Sequence, residues 1–342
     1  MSYAFVKGKS DIIELVKGKA TFVLVIGNTK TASIEGITVA GANPELIKYT
    51  PPADAELLYH GRCLSIGSVP ATPDGKPTPA IITYTALRLT SIPFFVVNSG
   101  LIVPPKIPYI DLNAPVGENI AERRAMDRQR VEEVIERAKI VGKQISKLSD
   151  VLVIGESIPA GTTTAAAVLK ALGLRDAVSS SMPENPVELK RKVVRKAVER
   201  VESKDPVEIL SAVGDPVMVG VIGIALGSEC PVILAGGTQM VAIANLMAKM
   251  GEVEALIATT KYVGDDVNVD LSLSPYPVIA ADPLLGKSKY PGLRAYEEGF
   301  VKEGVGAGGM TAVAYASGIS PERFLKEIEM DYEKIVLHGS KF

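Results

Sequence analysis

Short apolar runs rich in valine and isoleucine recur along the chain, and each precedes a turn and then a helical pattern of apolar positions. The runs are TFVLVIGN (21–28), PFFVVNSG (93–100), DVLVIGES (150–157), PVILAGGT (231–238) and EALIATT (254–260). Parallel strands that are covered by helices on both faces have this near-continuous apolar character. The pattern predicts an α/β fold built on a parallel sheet, in which ligands bind beyond the carboxyl ends of the strands.

The segments between these runs predict one long helix and two irregular stretches. Residues 121–148 carry apolar side chains at spacings of three and four, which is typical of an amphipathic helix. Residues 43–79 contain seven prolines and are expected to be extended and irregular. A second irregular stretch is expected over residues 270–291. Because the composition does not shift along the chain, we expect a single α/β unit over residues 1–342.

Charge and composition exclude several classes of partner. The chain has 37 Lys and Arg against 39 Asp and Glu, a net charge of −2, so it has no basic surplus for the phosphates of a nucleic acid. Its most apolar stretch, residues 216–228, is 13 residues long, whereas a membrane-spanning helix needs roughly 18. Charged residues interrupt the N-terminus, where a signal peptide needs an apolar stretch. We expect a cytoplasmic protein with neither a nucleic-acid nor a membrane partner.

Cysteine and histidine are too scarce to suggest a metal centre or a disulfide framework. Cys63 and Cys230 lie far apart and match no CxxC spacing, and His60 and His338 are the two imidazoles. A zinc site of the HExxH or three-histidine type cannot be assembled from them, and any metal would need carboxylate ligands. The sequence predicts neither a metal nor a cofactor.

Two motifs are similar to nucleotide-binding loops but lack the required context. Gly304, Gly306 and Gly309 match GxGxxG, yet the preceding residues are polar and helical rather than a buried strand. Residues 285–288 (LGKS) are similar to the end of a phosphate-binding P-loop, but no glycine-rich arch precedes the lysine. A phosphotransferase that uses this loop is one rival function.

The strongest local signal is VLVIGESIPAGTTTAAAVLKALG (151–173), in which threonines open an alanine-rich helix after a buried strand and a turn. Unpaired amides and the positive end of the helix dipole at Gly161, Thr162, Thr163 and Thr164 predict a site for a phosphate or a carboxylate. Glu156, at the carboxyl end of the strand, is expected to face the ligand crevice. The alternative is a threonine that caps a core helix and binds nothing.

A second candidate phosphate site is AVSSSMPENPVELKRK (177–192), where serines precede a proline-rich turn and a basic helix start. Ser180, Ser181 and Lys192 would hold the anion there. Charge runs of this kind are also typical of solvated helix faces.

Glu303 precedes a glycine stretch in VKEGVGAGGMTAVAYASG (301–318), which leads into a helix of small residues. Glycines such as Gly304 and Gly306 let the backbone approach a ligand closely, and the acid beside them is a candidate general base. The alternative is an exposed glutamate that favours the dipole of the following helix and does nothing more.

The order of these motifs resembles the nicotinate-nucleotide:dimethylbenzimidazole phosphoribosyltransferase family, which makes the lower-ligand nucleotide of cobalamin. The matching positions lie within residues 150–318 and are Gly155-Glu156, Thr163-Thr164-Ala165-Ala166-Ala167, Leu189 with Arg191 and Lys192, Asp205-Pro206 with AVGD (212–215), PVILAGG (231–237) and Glu303-Gly304-Val305-Gly306-Ala307. The PVILAGG match adds Gly236 and Gly237 to the substrate-binding residues. Near the N-terminus the match thins to Gly27, Glu35 and Gly36.

The chain also departs from the family pattern. Residues 179–181 are serines where bacterial members tend to have a Gly-Arg-Gly turn, Val305 stands in place of a threonine, and residues 237–239 are GTQ where Gly-Phe is usual. These departures look like a divergent, archaeal-type branch, and they leave the base pocket in the N-terminal half unassigned.

The resemblance implies a Rossmann-like core over about residues 20–285 and a small helical part built from residues 1–20 and 290–342, assembled as a homodimer. It implies that a ring nitrogen of a benzimidazole or purine base displaces nicotinate from nicotinate mononucleotide, with no metal or cofactor.

The resemblance also implies roles for individual residues. Glu303 is the expected general base and Glu156 lines the ribose side, while the helix start at 161–164 holds the 5′-phosphate together with Ser180, Ser181 and Lys192. A non-catalytic nucleotide-binding regulatory protein that keeps the phosphate site is the other interpretation.

Overall fold

A mostly parallel sheet of eight strands forms the centre of the computed structural model, which describes residues 3–41, 43–180 and 182–339. The strands are β1 (Tyr3–Lys7), β2 (Ala20–Ile26), β3 (Phe94–Asn98), β4 (Ile110–Asp111), β5 (Val151–Ser157), β6 (Val232–Ala235), β7 (Ala255–Thr260) and β8 (Val278–Ala281). Their order is β1-β8-β7-β6-β5-β2-β3-β4, and β1 pairs antiparallel with β8 while the other neighbours are parallel. The predicted α/β fold with a parallel sheet is confirmed.

The connections of the sheet change direction between β2 and β5, which are neighbours. From β2 the chain continues to β3 and β4 on one side, whereas β5 to β8 extend the sheet on the other side. In open α/β sheets, ligands bind beyond the carboxyl ends of the strands at such a point.

Helices surround the sheet and connect its strands. They are α1 (Thr50–His60), α2 (Ala80–Thr90), α3 (Arg128–Ser146), α4 (Gly161–Ala171), α5 (Val187–Val198), α6 (Pro206–Val213), α7 (Pro216–Gly227), α8 (Thr238–Met250), α9 (Lys261–Gly264), α10 (Pro291–Arg294), α11 (Ala307–Ala316) and α12 (Pro321–Tyr332). Short 3₁₀ helices cover Ile12–Lys17, Lys30–Ser33, Pro44–Tyr49, Leu271–Leu273 and Leu285–Lys287, and a π-helical turn covers Glu333–Leu337.

Helices on both faces of the sheet explain why the strands are apolar at consecutive positions. On β2, Val23 and Val25 join a hydrophobic core with α3, α4 and α6 to α8. The alternate side chains Phe22, Leu24 and Ile26 join a second core with α1, α2, α11 and α12. All five side chains are fully buried. The strand therefore stabilises two cores at once, as a parallel strand between helical layers does.

The apolar run of residues 216–228 forms the buried helix α7, which packs between α3 and α8. A Cβ atom at Gly223 would come within 2.4 Å of the Ala138 Cβ, so the glycine permits this close helix packing. None of the helices in the described residues is long and apolar enough to cross a membrane.

Two of the predicted irregular stretches contain regular structure. Residues 43–79 include the 3₁₀ helix Pro44–Tyr49 and the whole of α1. Pro51 and Pro52 lie in the first turn of α1, where proline is tolerated because the first N–H groups have no acceptor within the helix. Residues 270–291 include β8, whose four residues are too few to give a clear pattern.

Two boundaries also differ from the predictions. The long helix begins at Arg128 rather than at residue 121, because the Asp127 side chain accepts a hydrogen bond from the Arg130 N–H at 3.2 Å and caps it. The N-terminal residues expected in a small helical part instead supply β1, an edge strand of the main sheet, and one 3₁₀ helix. Residues 290–339 are largely helical and include α10, α11 and α12.

Candidate functional site

A cavity that opens to solvent lies at the carboxyl end of β5, close to the point where the connections of the sheet change direction. It is lined mainly by residues 37–41, 70–72, 76–79, 156–162, 179–180, 237–239 and 301–305.

The loop from Val301 to Gly306 carries Glu303 into this cavity in an unusual backbone conformation. Val301, Lys302 and Val305 have positive φ angles of 61°, 38° and 56°, which are strained for residues with a Cβ, and a branched one above all. The Lys302 carbonyl accepts the Thr260 hydroxyl at 2.6 Å, and Thr83 donates to the Val305 carbonyl at 2.8 Å. These bonds from β7 and α2 hold the strained loop against the sheet.

Glu303 lines the cavity and is held by backbone donors from three places. Its Oε2 accepts the Thr260 N–H at 2.8 Å and the Thr259 hydroxyl at 3.2 Å, and its Oε1 accepts the Gly304 N–H at 3.1 Å. The Gly308 N–H, in the first turn of α11, is 3.2 Å from both oxygens. Burial raises the pKa of Glu303 to about 7 although these hydrogen bonds lower it. Glu303 thus caps α11, as the alternative held, and also carries a carboxyl that exchanges a proton near neutral pH.

Glu156 lies at the end of β5, as predicted, and is buried with 3% exposure at the cavity wall. The Gln239 amide donates to its Oε2 at 3.2 Å. Burial, together with the nearby carboxyls of Asp215, Glu303 and Asp54, raises the pKa of Glu156 to about 8. It is therefore largely protonated at neutral pH.

Asp54 is a cavity-lining acid on α1 that the sequence analysis did not single out. Its Oδ1 accepts the Thr78 hydroxyl at 2.7 Å and its Oδ2 accepts the Ser157 hydroxyl at 2.7 Å. Burial raises the pKa of Asp54 to about 7, and the two hydroxyls oppose this shift. Asp54 lies among prolines in a segment predicted to be irregular, so no local pattern pointed to it.

The beginning of α4 reaches the cavity through Gly161 and Thr162. Ala160, with a φ of 66°, is the N-cap, so no threonine caps this helix by its side chain. A Cβ atom at Gly161 would lie 1.9 Å from the Gln239 amide nitrogen, so Gly161 makes room for the side chain that contacts Glu156.

Thr163 and Thr164 were predicted to bind the anion, but the structure places both inside the core and not at the cavity wall. The Thr164 hydroxyl donates to Asp215 at 2.5 Å and thereby joins α4 to the start of α7. The buried Thr163 hydroxyl has no hydrogen-bond partner among the described residues. Within α4, Gly161 and Thr162 therefore remain as the residues that a ligand can contact.

A second group of charged residues, Lys302, Lys190 and Asp266, lies at the cavity wall and behind it. Lys302 lines the cavity and forms an ion pair of 2.7 Å with Asp266, which also accepts the Ser179 hydroxyl at 2.9 Å. Burial alone would raise the pKa of Asp266, but the bond from Lys302 lowers it below its usual value. Lys190 donates to the Ser179 carbonyl at 2.8 Å, and burial lowers the pKa of Lys190 to about 7. This group of two lysines and one aspartate has a net positive charge when both lysines are protonated.

Lys192, which was predicted to hold the phosphate, lies on the solvent-exposed side of α5. Lys192 is exposed and does not line the cavity, whereas Lys190 is 4% exposed and faces inwards. Ser180 lines the cavity as predicted. Ser181 lies outside the described residues.

The predicted glycines divide into two that line the cavity and two that shape it. Gly237 and Gly304 line it, and a Cβ atom at Gly237 would lie 3.5 Å from the Glu303 Cγ. Gly236 lies behind Glu156, and Gly306, with a φ of 76°, is the N-cap of α11 and packs on Phe22. The second pair does not contact the cavity directly.

The chemistry of the site rests on carboxyls and lysines. Across the described residues, no group of three or more His, Cys, Asp or Glu side chains is placed to hold a metal ion. The P-loop-like residues 285–288 lie away from the cavity, and Leu285–Lys287 form a 3₁₀ helix that begins with a buried leucine. They do not form the amide cradle that the phosphotransferase interpretation needs.

The architecture matches solved structures of phosphoribosyltransferases. A nicotinate-nucleotide-dimethylbenzimidazole phosphoribosyltransferase from Thermus thermophilus aligns with a TM-score of 0.60 at 19% identity, over 90% of this chain and 83% of that chain. A structure of CobT from Thermus thermophilus aligns with a TM-score of 0.61 at 18% identity, over 94% of this chain and 92% of that chain. At these identities the likeness concerns the fold.

Sequence comparison defines the family. The DBI_PRT family model, described as phosphoribosyltransferase, matches residues 88–260, about half of the chain. A UPF0284 protein of Archaeoglobus fulgidus is 85% identical over 98% of this chain and 100% of its own length. Those of Sulfolobus acidocaldarius and Pyrococcus furiosus are 47% and 43% identical, over 94% and 93% of this chain and 96% and 99% of their own lengths.

These matches confirm the resemblance that the motif order between residues 150 and 318 suggested, including its archaeal branch. The chain belongs to the DBI_PRT family of phosphoribosyltransferases, within the branch of archaeal UPF0284 proteins.

Proposed function

We propose that the protein transfers the 5-phosphoribosyl group of nicotinate mononucleotide to a ring nitrogen of a benzimidazole or purine base. The products are an α-riboside 5′-phosphate and nicotinate, and the former is a lower-ligand nucleotide for a cobamide. The observation that carries this proposal is Glu303, a carboxyl with a pKa raised to about 7 by burial, on a strained loop at the cavity wall.

The reaction needs a single proton acceptor. The pyridinium nitrogen of the donor leaves as a neutral ring with the electron pair of the broken glycosidic bond, so the leaving group needs no acid. The unprotonated ring nitrogen of the base attacks C1′ with its lone pair from the opposite face, and the ring cation that results must lose the proton from its other ring nitrogen. Glu303 takes that proton, for which a base with a pKa near the working pH is suited.

The charges of the cavity supply an orientation for the donor. Lys302, Ser180 and the amides at the starts of α4 and α8 form the end that would accept the 5′-phosphate. Glu303 would lie beside the pyridinium, where its carboxylate form favours a cationic ring, and the protonated Glu156 would line the ribose side as a hydrogen-bonding group. This placement replaces Lys192 with Lys302 as the cation at the phosphate.

A product assay tests the proposal. We expect nicotinate release and formation of a riboside phosphate when the protein is mixed with nicotinate mononucleotide and a panel of benzimidazoles and adenine. Activity should survive chelation and need no ATP. If nicotinate mononucleotide binds in a calorimeter but no base triggers nicotinate release, the non-catalytic regulatory function is the correct one. An absolute requirement for Mg²⁺ or ATP would also contradict the proposed transfer.

The proposed assembly is a homodimer in the cytoplasm. Light scattering on the purified protein measures its mass in solution, and a monomer at micromolar concentration would contradict this part of the proposal.

A further inference from the structure

Asp54 has no part in the reaction as described, yet it occupies the cavity wall. It is 2% exposed, and both of its oxygens accept a hydroxyl at 2.7 Å, from Thr78 before α2 and from Ser157 at the end of β5. Three elements therefore place this carboxyl in one orientation.

The carboxyl of Asp54 retains hydrogen-bonding capacity beyond these two hydroxyls. An ionised carboxylate has about four acceptor positions, and a protonated one can also donate. The Thr78 and Ser157 hydroxyls occupy one position on each oxygen. A ligand edge in the cavity that carries a donor would satisfy a further position, whereas an apolar edge would bury it unpaired.

The surroundings of Asp54 suit a flat ring. Ile37, Val39, Pro70, Pro79 and Ile158 contribute apolar walls to the same cavity. An aromatic heterocycle fits between such walls, and the few polar groups there fix its orientation.

The position of Asp54 relative to Glu303 assigns that ring to the acceptor base. Gly304, next to Glu303, lies against Pro79, which follows Thr78 in the chain. The carboxyls of Asp54 and Glu303 both raise the pKa of Tyr296, after burial, so both lie near that ring. The two carboxyls therefore line neighbouring parts of the cavity, and a base that gives its proton to Glu303 is the substrate that would also reach Asp54.

We infer, on the basis of the proposed function, that Asp54 held by Thr78 and Ser157 selects an acceptor base that carries an amino or hydroxyl donor on the edge opposite its reacting nitrogen. A base with methyl groups on that edge leaves the remaining acceptor positions of the buried carboxyl without a partner. Sites that hydrogen-bond a substrate group reject analogues that lack the group far more strongly than apolar pockets do.

A matched pair of acceptors tests this inference, namely 5-aminobenzimidazole and 5-methylbenzimidazole, which differ little in size. Two ratios are measured for the pair: kcat/KM in the transfer assay, and the equilibrium dissociation constant of each base by calorimetry. We expect the wild-type protein to favour the amino compound by roughly tenfold or more, the usual value of a hydrogen bond to a charged group. Asp54→Asn should reduce the preference by a similar factor, because its amide nitrogen presents a donor to the amino group.

Asp331→Asn is the control, since Asp331 is also buried and accepts a threonine hydroxyl, from Thr85 at 2.8 Å, but lies outside the cavity. It should lower stability without changing either ratio. The inference is wrong if the wild-type protein shows no preference, if neither base binds, or if Asp54→Asn keeps the preference. The wild-type comparison needs no variant to fold. If no transfer occurs with any base, the proposed function fails, while the calorimetric ratio still decides the role of Asp54.

Discussion

Two groups of charged residues at the cavity, one around Lys302 and one with Glu303 and Asp54, compensate their charges in different ways. In the first group, the Lys302 ammonium forms an ion pair of 2.7 Å with the Asp266 carboxylate. The pKa of Asp266 therefore falls below its usual value, although burial alone would raise it. In the second group, Glu303 and Asp54 are held by hydroxyl and backbone N–H donors, and burial raises the pKa of each to about 7. An ion pair fixes charge, whereas hydrogen bonds alone leave a buried carboxyl able to take up a proton.

This difference suits the two groups of residues to different roles. The Lys302–Asp266 ion pair, together with a protonated Lys190, is net positive and suits a group that stays anionic throughout a reaction, such as a phosphate. Carboxyls that exchange protons near pH 7, such as those of Glu303 and Asp54, suit the step in which a proton is transferred. The following variants remove one property at a time.

The largest effect is expected for Glu303→Gln, which removes the proton acceptor. We expect turnover to fall by roughly two to four orders of magnitude, the usual value of general base catalysis, while the affinity for nicotinate mononucleotide is retained. The wild-type rate should rise with pH through about 7, because Glu303 must lose its proton to act, and the variant should lack this dependence. A pH series of kcat/KM measures both.

The control for this variant concerns folding. Both oxygens of Glu303 accept backbone N–H groups, so an amide nitrogen there faces a donor and lowers stability. The assays therefore need temperatures well below the melting point of the variant. If the rate remains near the wild-type value from pH 6 to 9, Glu303 is only the cap of α11.

A smaller effect, on substrate affinity, is expected when the Lys302–Asp266 ion pair is removed as a whole. The double variant Lys302→Met/Asp266→Asn removes both members of the ion pair and should weaken binding of nicotinate mononucleotide by roughly 10- to 100-fold, the usual value of a charge-assisted hydrogen bond. Asp266→Asn alone frees Lys302 and should bind the nucleotide at least as tightly as the wild type. Calorimetry compares the three proteins. Equal affinities throughout would place the phosphate elsewhere.

The third-largest effect is expected in how the free energy of unfolding depends on pH. In the folded state the pKa of Glu156 is raised to about 8, and those of Asp54, Asp215 and Glu303 are raised to about 7, 6 and 7. The folded protein then binds more protons than the unfolded chain above about pH 4.5, so the free energy of unfolding should fall as the pH rises towards 8.

Glu156→Gln sharpens this test because it removes the acid with the highest of these pKa values. At pH 7 it should stabilise the protein by about 1–3 kcal/mol, with little difference at pH 4.5. Denaturant unfolding at the two pH values measures the difference, and Glu252→Gln, at an exposed position, is the matched control. Above pH 7 the depressed pKa of Lys190 adds the opposite slope, so the comparison stops there. A wild-type stability that rises from pH 5 to 7 would contradict the four raised pKa values.

The sequence predicted the features that are contiguous in the chain. The strands were visible because each one contacts two apolar cores and so has apolar residues at consecutive positions. Glu303 and Glu156 were visible because each adjoins a glycine turn after or near a strand. A short stretch of residues contains the whole signal in each of these cases.

Features that depend on distant contacts could not be predicted. Asp54 is important because Thr78 and Ser157, 24 and 103 residues away, donate to it in the folded protein. The strand β8 is four residues long and is stabilised on one side by β1, from the opposite end of the chain. The boundary of α1 was hidden by prolines that its first turn tolerates.

The smallest effect is expected for Lys192→Ala, which compares the two sides of α5. Residues two positions apart on a helix point about 200° away from each other, so Lys190 and Lys192 cannot both face the cavity. Lys190 is buried at Ser179 and Lys192 is exposed.

We expect Lys192→Ala to change the KM for nicotinate mononucleotide by less than about twofold and stability by less than about 0.5 kcal/mol, as for other exposed substitutions. Lys190→Met should weaken binding more, and the excess should grow below pH 7, where Lys190 is protonated. A tenfold rise in KM for Lys192→Ala, with Lys190→Met unaffected, would mean that α5 presents its other side to the phosphate, as the basic helix start alone had suggested.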